Sequence, residues 1–93
     1  MIKSFRYGGL RKFWETGSKS GIPTEMAPRL RIPLSVLDAA TQISDLGQPG
    51  YGLHSLKGDR KGQWSIGVTG NWRLVLKMDE PGEVTGLNLE DYH

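Results

Sequence analysis

Apolar and polar positions alternate from residue 51 onward, whereas before residue 50 the apolar positions recur every three or four. The first half therefore predicts helices and the second a sheet. Met1 to Phe5 is short and apolar enough for an opening strand. Gly8-Gly9 then precedes LRKFWETG, where Leu10, Phe13 and Trp14 stand at i, i+3 and i+4 on one face of a short helix stopped at Gly17. GSKSGIP reads as a loop. Thr24 is the expected N-cap of a longer helix whose stripe is Met26, Leu30, Leu34, Leu37 and Ala40 or Thr41. Pro28 suits the first turn, but Pro33 removes an interior hydrogen bond at a cost of roughly 3 kcal/mol, which predicts a kink or a break between 31 and 33. DLGQPG ends this half.

YGLHSLK is a candidate strand closed by the turn residues GDRKG. In WSIGV, Trp64, Ile66 and Val68 alternate with polar or small positions, and in WRLVLK the same holds for Trp72, Leu74 and Leu76. Thr69-Gly70-Asn71 between them predicts a tight hairpin with glycine at positive φ. Pro81-Gly82 is a type II turn signature leading to a last strand from Val84 to about Asp91. The predicted fold is α/β of the α+β kind, one domain over residues 1–93. It comprises an N-terminal strand, two helices and a four-stranded antiparallel meander. Helices would cover one face of the sheet and leave the other for a partner.

With 37 % hydrophobic and 24 % charged residues the chain reads as an ordinary soluble domain. No apolar run approaches the roughly 20 residues of a membrane helix, and MIKSFRYGG lacks the apolar core of a secretory signal. A cytoplasmic location is expected. The absence of cysteine excludes disulfides and thiolate zinc sites. Charge is unevenly spread: +5 over residues 1–33, −2 over 34–50, +4 over 51–77 and −5 over 78–93. A pI near 9.1 with clustered bases suits a polyanion partner such as a nucleic acid, with Arg6, Arg11, Lys12, Arg60 and Lys61 as candidate contacts.

The chain has two histidines, His54 and His93, and no His-x-x-x-His spacing, nucleotide-binding loop or nucleophile elbow. Neither a metal nor another cofactor is expected. What remains in the sheet half is His54, Lys57, Arg73, Asp91, Tyr92 and His93. That inventory suffices to cut RNA without metal. A histidine can move protons near neutral pH, an effect typically worth about 10²–10⁴-fold. Lysine and arginine can stabilise charge on phosphoryl oxygens, and a tyrosine can stack a splayed base. Each residue also has an ordinary structural explanation. A strand histidine packs or faces solvent, Lys57 solubilises a turn, and Arg73 faces away from Trp72 and Leu74. A frayed end would account for Asp91 and His93. Spacing alone leaves these alternatives open.

MIKSF, LDAAT at 37–41, LHSLKGDRKGQWSI at 53–66, GNWRL at 70–74 and the final EDYH together resemble the HigB-type toxins of the RelE/ParE superfamily, also called plasmid maintenance killer proteins. The similarity runs over the whole chain in one order. It implies a compact α/β toxin that enters the A site of the 70S ribosome and cuts mRNA during translation. It also implies a HigA-type helix-turn-helix antitoxin, with operator DNA bound only through that antitoxin. By resemblance the catalytic groups are His54, Lys57, Arg73, Asp91, Tyr92 and His93. His93 would donate or accept a proton, Lys57 and Arg73 would hold the scissile phosphate, and Tyr92 would stack or orient a base. Asp91 would position a neighbour, and His54 would assist proton transfer or hold the phosphate. The chain departs from relatives at Pro28 and Pro33, and at Gly67-Val68-Thr69, where several carry a basic residue. Two other functions fit the same fold: gyrase inhibition of the ParE kind, and non-enzymatic binding of RNA or protein.

Overall fold

Close packing of Tyr7 against Gly9 marks where the first helix begins. Helix α1 spans Gly8–Thr16, so Gly8 and Gly9 are its first turn rather than a lead-in. A Cβ on Gly9 would stand 2.7 Å from Cζ of Tyr7, and only glycine admits that ring across the helix start. The Tyr7 hydroxyl donates to the carbonyl of Gly21 and ties the helix to the following loop. Leu10 and Phe13 enter the core, and Gly17, at φ 79°, ends the helix with its N–H bonded to the Phe13 carbonyl.

Helix α2 covers Ala27–Ala39. Thr24 is not its cap: it lies in a preceding turn, and Met26 takes the N-cap position without a side-chain hydrogen bond. Pro28 sits in the first turn as expected. Pro33 lies inside a helix that continues through it without a break. Its ring is buried with Leu30, Leu34 and Leu37, and this tertiary packing holds the helix where intrinsic propensity would interrupt it. A short 3-10 helix, Ile43–Leu46, follows. The Asp45 carboxylate accepts the backbone N–H groups of Thr41 and Gln42 at 2.9 and 3.3 Å. These bonds, the Thr41 N–H first, hold its pKa below the ordinary carboxylate value.

The computed structural model describes residues 1–91, and Tyr92 and His93 lie outside the described residues. Its sheet contains β1 (His54–Ser55), β2 (Trp64–Gly67), β3 (Trp72–Glu80) and β4 (Glu83–Asp91) in antiparallel order β1-β2-β3-β4. The meander is the one expected, but β1 is shorter than YGLHSLK. Gly52 at φ 56° and Gly58 at φ 66° bracket it with conformations no strand can hold. The β2–β3 turn differs as well, because Gly70 has no positive φ. Instead the Thr69 hydroxyl accepts the N–H groups of Asn71 and Trp72 at 3.3 and 3.2 Å. Gly82 takes φ 77°, as the type II turn at Pro81-Gly82 requires.

The opening segment runs parallel to β4 but forms two separate bridges, Ile2 with Val84 and Phe5 with Leu87, rather than a regular strand. The register between β3 and β4 slips in this region. There Gly86 takes φ 61° and donates its N–H to the Ser4 hydroxyl at 2.9 Å. Asp38 of α2 accepts the N–H of Ile2 at 2.9 Å and ties this segment to the helical layer.

Leu10 and Phe13 of α1 and Leu30, Leu34 and Leu37 of α2 share one core with Ile66, Leu74, Leu76, Leu87 and Leu89 of the sheet. Both helices thus cover a single face. Replacing Leu74, fully buried in β3, by alanine should lower unfolding free energy by about 2–5 kcal/mol. Urea unfolding followed by circular dichroism measures this; a loss below about 1 kcal/mol would be incompatible with the core described.

Candidate active site

A strand that buries every second side chain must turn the others away. Ile66, Leu74 and Leu76 belong to the core, so Ser65, Arg73 and Val75 face the side of the sheet that the helices leave open. The register then aligns chemistry across strands. His54 stands opposite Ser65, Ser65 opposite Val75, and Arg73 opposite Gly67 on one side and Glu90 on the other. Ser65 and Arg73 are diagonal neighbours on one face, within reach of a long side chain.

Arg73 is held at two of its nitrogens. Nε donates to Ser65 Oγ at 3.0 Å, and Nη2 donates to the Gly52 carbonyl at 3.0 Å. Nη2 also lies 3.3 Å from Nδ1 of His54. The imidazole is placed by the same groups, with Nδ1 3.2 Å from the Gly52 carbonyl and Nε2 3.5 Å from Ser65 Oγ. Gly52 supplies this carbonyl at a positive φ. Its loop is fastened to β2 by the Gly67 N–H, which donates to the Tyr51 carbonyl at 2.6 Å.

Beside this cluster Glu90 forms an ion pair with Arg60 and accepts from Asn88 Nδ2 at 3.1 Å. The hydrogen bond from Arg60, aided by the Arg60 charge, the hydrogen bond from Asn88 and the charge of Arg6, holds the Glu90 pKa below its ordinary value although partial burial opposes this. The same bond raises the pKa of Arg60. A cavity of about 60 Å³ lies among Arg60, Ser65, Arg73, Glu90 and Asp91. Leu56 separates it from a wider groove of about 330 Å³ bordered by Lys57, Lys61 and Trp64.

The fold therefore brings His54 and Arg73 into contact, sets Arg60 and Asp91 at the rim of the same cavity, and places Lys57 and Lys61 in the adjoining groove. Arg6 reaches the site through its field on Glu90. Arg11 and Lys12 are exposed on α1, in the helical layer, and line neither hollow. Tyr92 and His93 are outside the described residues. Among the described residues no group of three or more His, Asp or Glu side chains is placed to hold a metal. Two participants were missed in the sequence. Ser65 was within reach of the alternation argument, since it lies between Trp64 and Ile66 on the face of Arg73. The Arg60–Glu90 pairing spans thirty positions and left no local signal.

Over residues 3–93 the chain matches the family described as the RelE-like toxin of type II toxin-antitoxin system HigB. It belongs to that family. The HigB-like toxin is also 45 % identical over 93 residues to a protein named Endoribonuclease HigB from Proteus vulgaris, covering 100 % of both chains. Its fold is similar to that of YafQ from E. coli strain BL21(DE3), with TM-score 0.61, 14 % identity and coverage of 98 % and 91 % of the two chains. A chain of the YoeB-YefM complex from Staphylococcus aureus gives TM-score 0.59 at 15 % identity, covering 100 % and 98 %. At such identities the two structures speak for the fold alone.

The Arg60–Glu90 pair makes stability depend on pH. Because the folded-state pKa of Glu90 is depressed, its contribution is present above the ordinary value of 4.5 and is lost as pH falls through the lower folded value. An Arg60→Ala variant should thus be less stable than wild type at pH 7, and the difference should shrink toward pH 2.5. Urea midpoints at both pH values test this; a difference that stayed constant or grew in acid would contradict the pairing.

Proposed function

We propose that this toxin is a ribosome-dependent endoribonuclease that cuts mRNA in the A site of the 70S ribosome without a metal. The observation that carries the proposal is Arg73, fixed on the uncovered face of the sheet against His54 and Ser65. The name of the full-length relative from Proteus vulgaris supports the same reaction class. Arg73 offers a planar cation of set orientation to a phosphate, where a mobile surface arginine would first have to be ordered.

In the proposed reaction the mRNA 2′-oxygen attacks the adjacent phosphorus. The 2′-O–P bond forms, the P–O5′ bond breaks, and the products are a 2′,3′-cyclic phosphate and a 5′-hydroxyl. The 2′-hydroxyl proton passes to a base and the 5′-oxygen receives one from an acid, a task we assign to His93. Arg73 and Lys57 stabilise charge growing on the phosphoryl oxygens, a contribution that in other enzymes is worth about 10²–10³-fold per donor. Tyr92 stacks a base of the message, and Asp91 positions a neighbour at the rim. Lys61, Arg60 and Arg6 surround the cleft with positive charge, while Arg11 and Lys12 on the helical layer meet rRNA.

The partners follow from this assignment. A HigA-type helix-turn-helix antitoxin neutralises the toxin, and operator DNA is engaged only through that antitoxin. The place of action is the cytoplasm, where ribosomes are. No helix of the described chain is long and apolar enough to cross a membrane.

Reconstituted translation with 5′-end mapping by primer extension tests the proposal. Wild-type toxin should produce cuts only when ribosomes are present. Arg73→Ala should reduce the cutting rate by about 10²-fold or more while circular dichroism stays unchanged. Full cutting of ribosome-free RNA, or no cutting combined with inhibition of gyrase supercoiling, would contradict it. In the same assay His93→Ala should lose about 10²-fold or more, and a rate equal to wild type would remove His93 from proton transfer.

A further inference from the structure

Ser65 is the one buried polar side chain among the described residues, 1 % exposed in the middle of the sheet. By propensity such a position favours a β-branched residue, since serine contributes little packing and brings a hydroxyl that must be satisfied. Here its partners are Arg73 and His54, both of them groups of the site. The hydroxyl serves the site rather than the core.

We propose that Ser65 is the positioning residue for Arg73, and that His54 completes the brace. Because Nε–H of Arg73 can only donate, it makes Ser65 Oγ an acceptor at 3.0 Å. The hydroxyl hydrogen is then available to Nε2 of His54, at 3.5 Å, and the Nδ1–H tautomer of the imidazole donates to the Gly52 carbonyl at 3.2 Å. That carbonyl also receives Nη2 of Arg73. Serine, histidine and carbonyl thus close a ring of polar contacts around one edge of the guanidinium. Both imidazole nitrogens face groups of the protein, which gives His54 a part in holding Arg73.

Removing the hydroxyl leaves the charge of Arg73 in place, takes away the contact that directs Nε and leaves the guanidinium less well oriented. The consequence rests on the ribonuclease function proposed above: a misplaced phosphate-holding group lowers the rate of the chemical step without changing how tightly the toxin binds the ribosome. A purely structural role for Ser65 would instead lower stability and leave the rate per folded molecule intact.

The experiment compares wild type, Ser65→Ala and Ser65→Thr. Single-turnover mRNA cutting on programmed ribosomes and ribosome affinity by sedimentation are measured together with the nitrogen-15 signal and hydrogen exchange of Arg73 Nε–H in the free toxin. Ser65→Ala should cut about 10- to 100-fold more slowly at unchanged ribosome affinity, and its Arg73 Nε–H should exchange faster. Ser65→Thr, which keeps a hydroxyl, should restore both the rate and the slow exchange. Equal cutting by Ser65→Ala, or an Arg73 signal indifferent to that change, overturns the proposal. If wild type cut nothing while the exchange pattern held, the ribonuclease assignment would fail and the brace would stand.

Discussion

Burial of Leu74 and Leu76 in the core beneath the helices fixes which way every side chain of β3 faces. Arg73, between Trp72 and Leu74, has no choice but the uncovered side. The same constraint acts on β2, where burial of Ile66 sends Ser65 the same way. The apolar core and the polar cluster are two faces of one pleat. A slip of one residue in either strand would put Arg73 into the core and remove it from His54, so the packing that stabilises the fold also enforces the geometry of the site.

Charge on the open face is organised more tightly than net charge suggests. Glu90 sits among arginines and takes Arg60 as its partner, whose hydrogen bond lowers the pKa of this carboxylate. One cation is thereby bound by the protein itself, and Arg73 is steered by neutral acceptors, a hydroxyl and a carbonyl. Lys57 and Lys61 in the adjacent groove extend the same field along the surface.

The sheet was legible in the sequence because its signals are local. Alternation in WSIGV and WRLVLK marked β2 and the first two thirds of β3, and Pro81-Gly82 marked the turn between β3 and β4. Where one local rule met a tertiary contact, the contact won. Tyr7 packs against Gly9 in the first turn of α1, and burial of Pro33 carried α2 through a residue that breaks helices. Gly52 and Gly58 cut β1 to two residues. In the site, Arg73 and His54 were recognised as separate candidates, but their contact depends on the β1–β2–β3 register and on the Gly52 loop, which no spacing reveals. The Arg60–Glu90 pair depends on a loop folding back over the last strand and was equally hidden.

The central claim is that the uncovered face of the sheet, with Arg73 at its middle, is the surface that meets the message. The most direct measurement is an electron cryomicroscopy structure of the toxin on a ribosome carrying A-site mRNA whose 2′-hydroxyl at the cut position is replaced by hydrogen, so that binding occurs without cleavage. The account predicts the Arg73 guanidinium within hydrogen-bond distance of the phosphate that would have been cut, with the Ser65 and Gly52 contacts kept. Density showing the helical face of α1 and α2 against the message, and Arg73 turned to solvent, would contradict it.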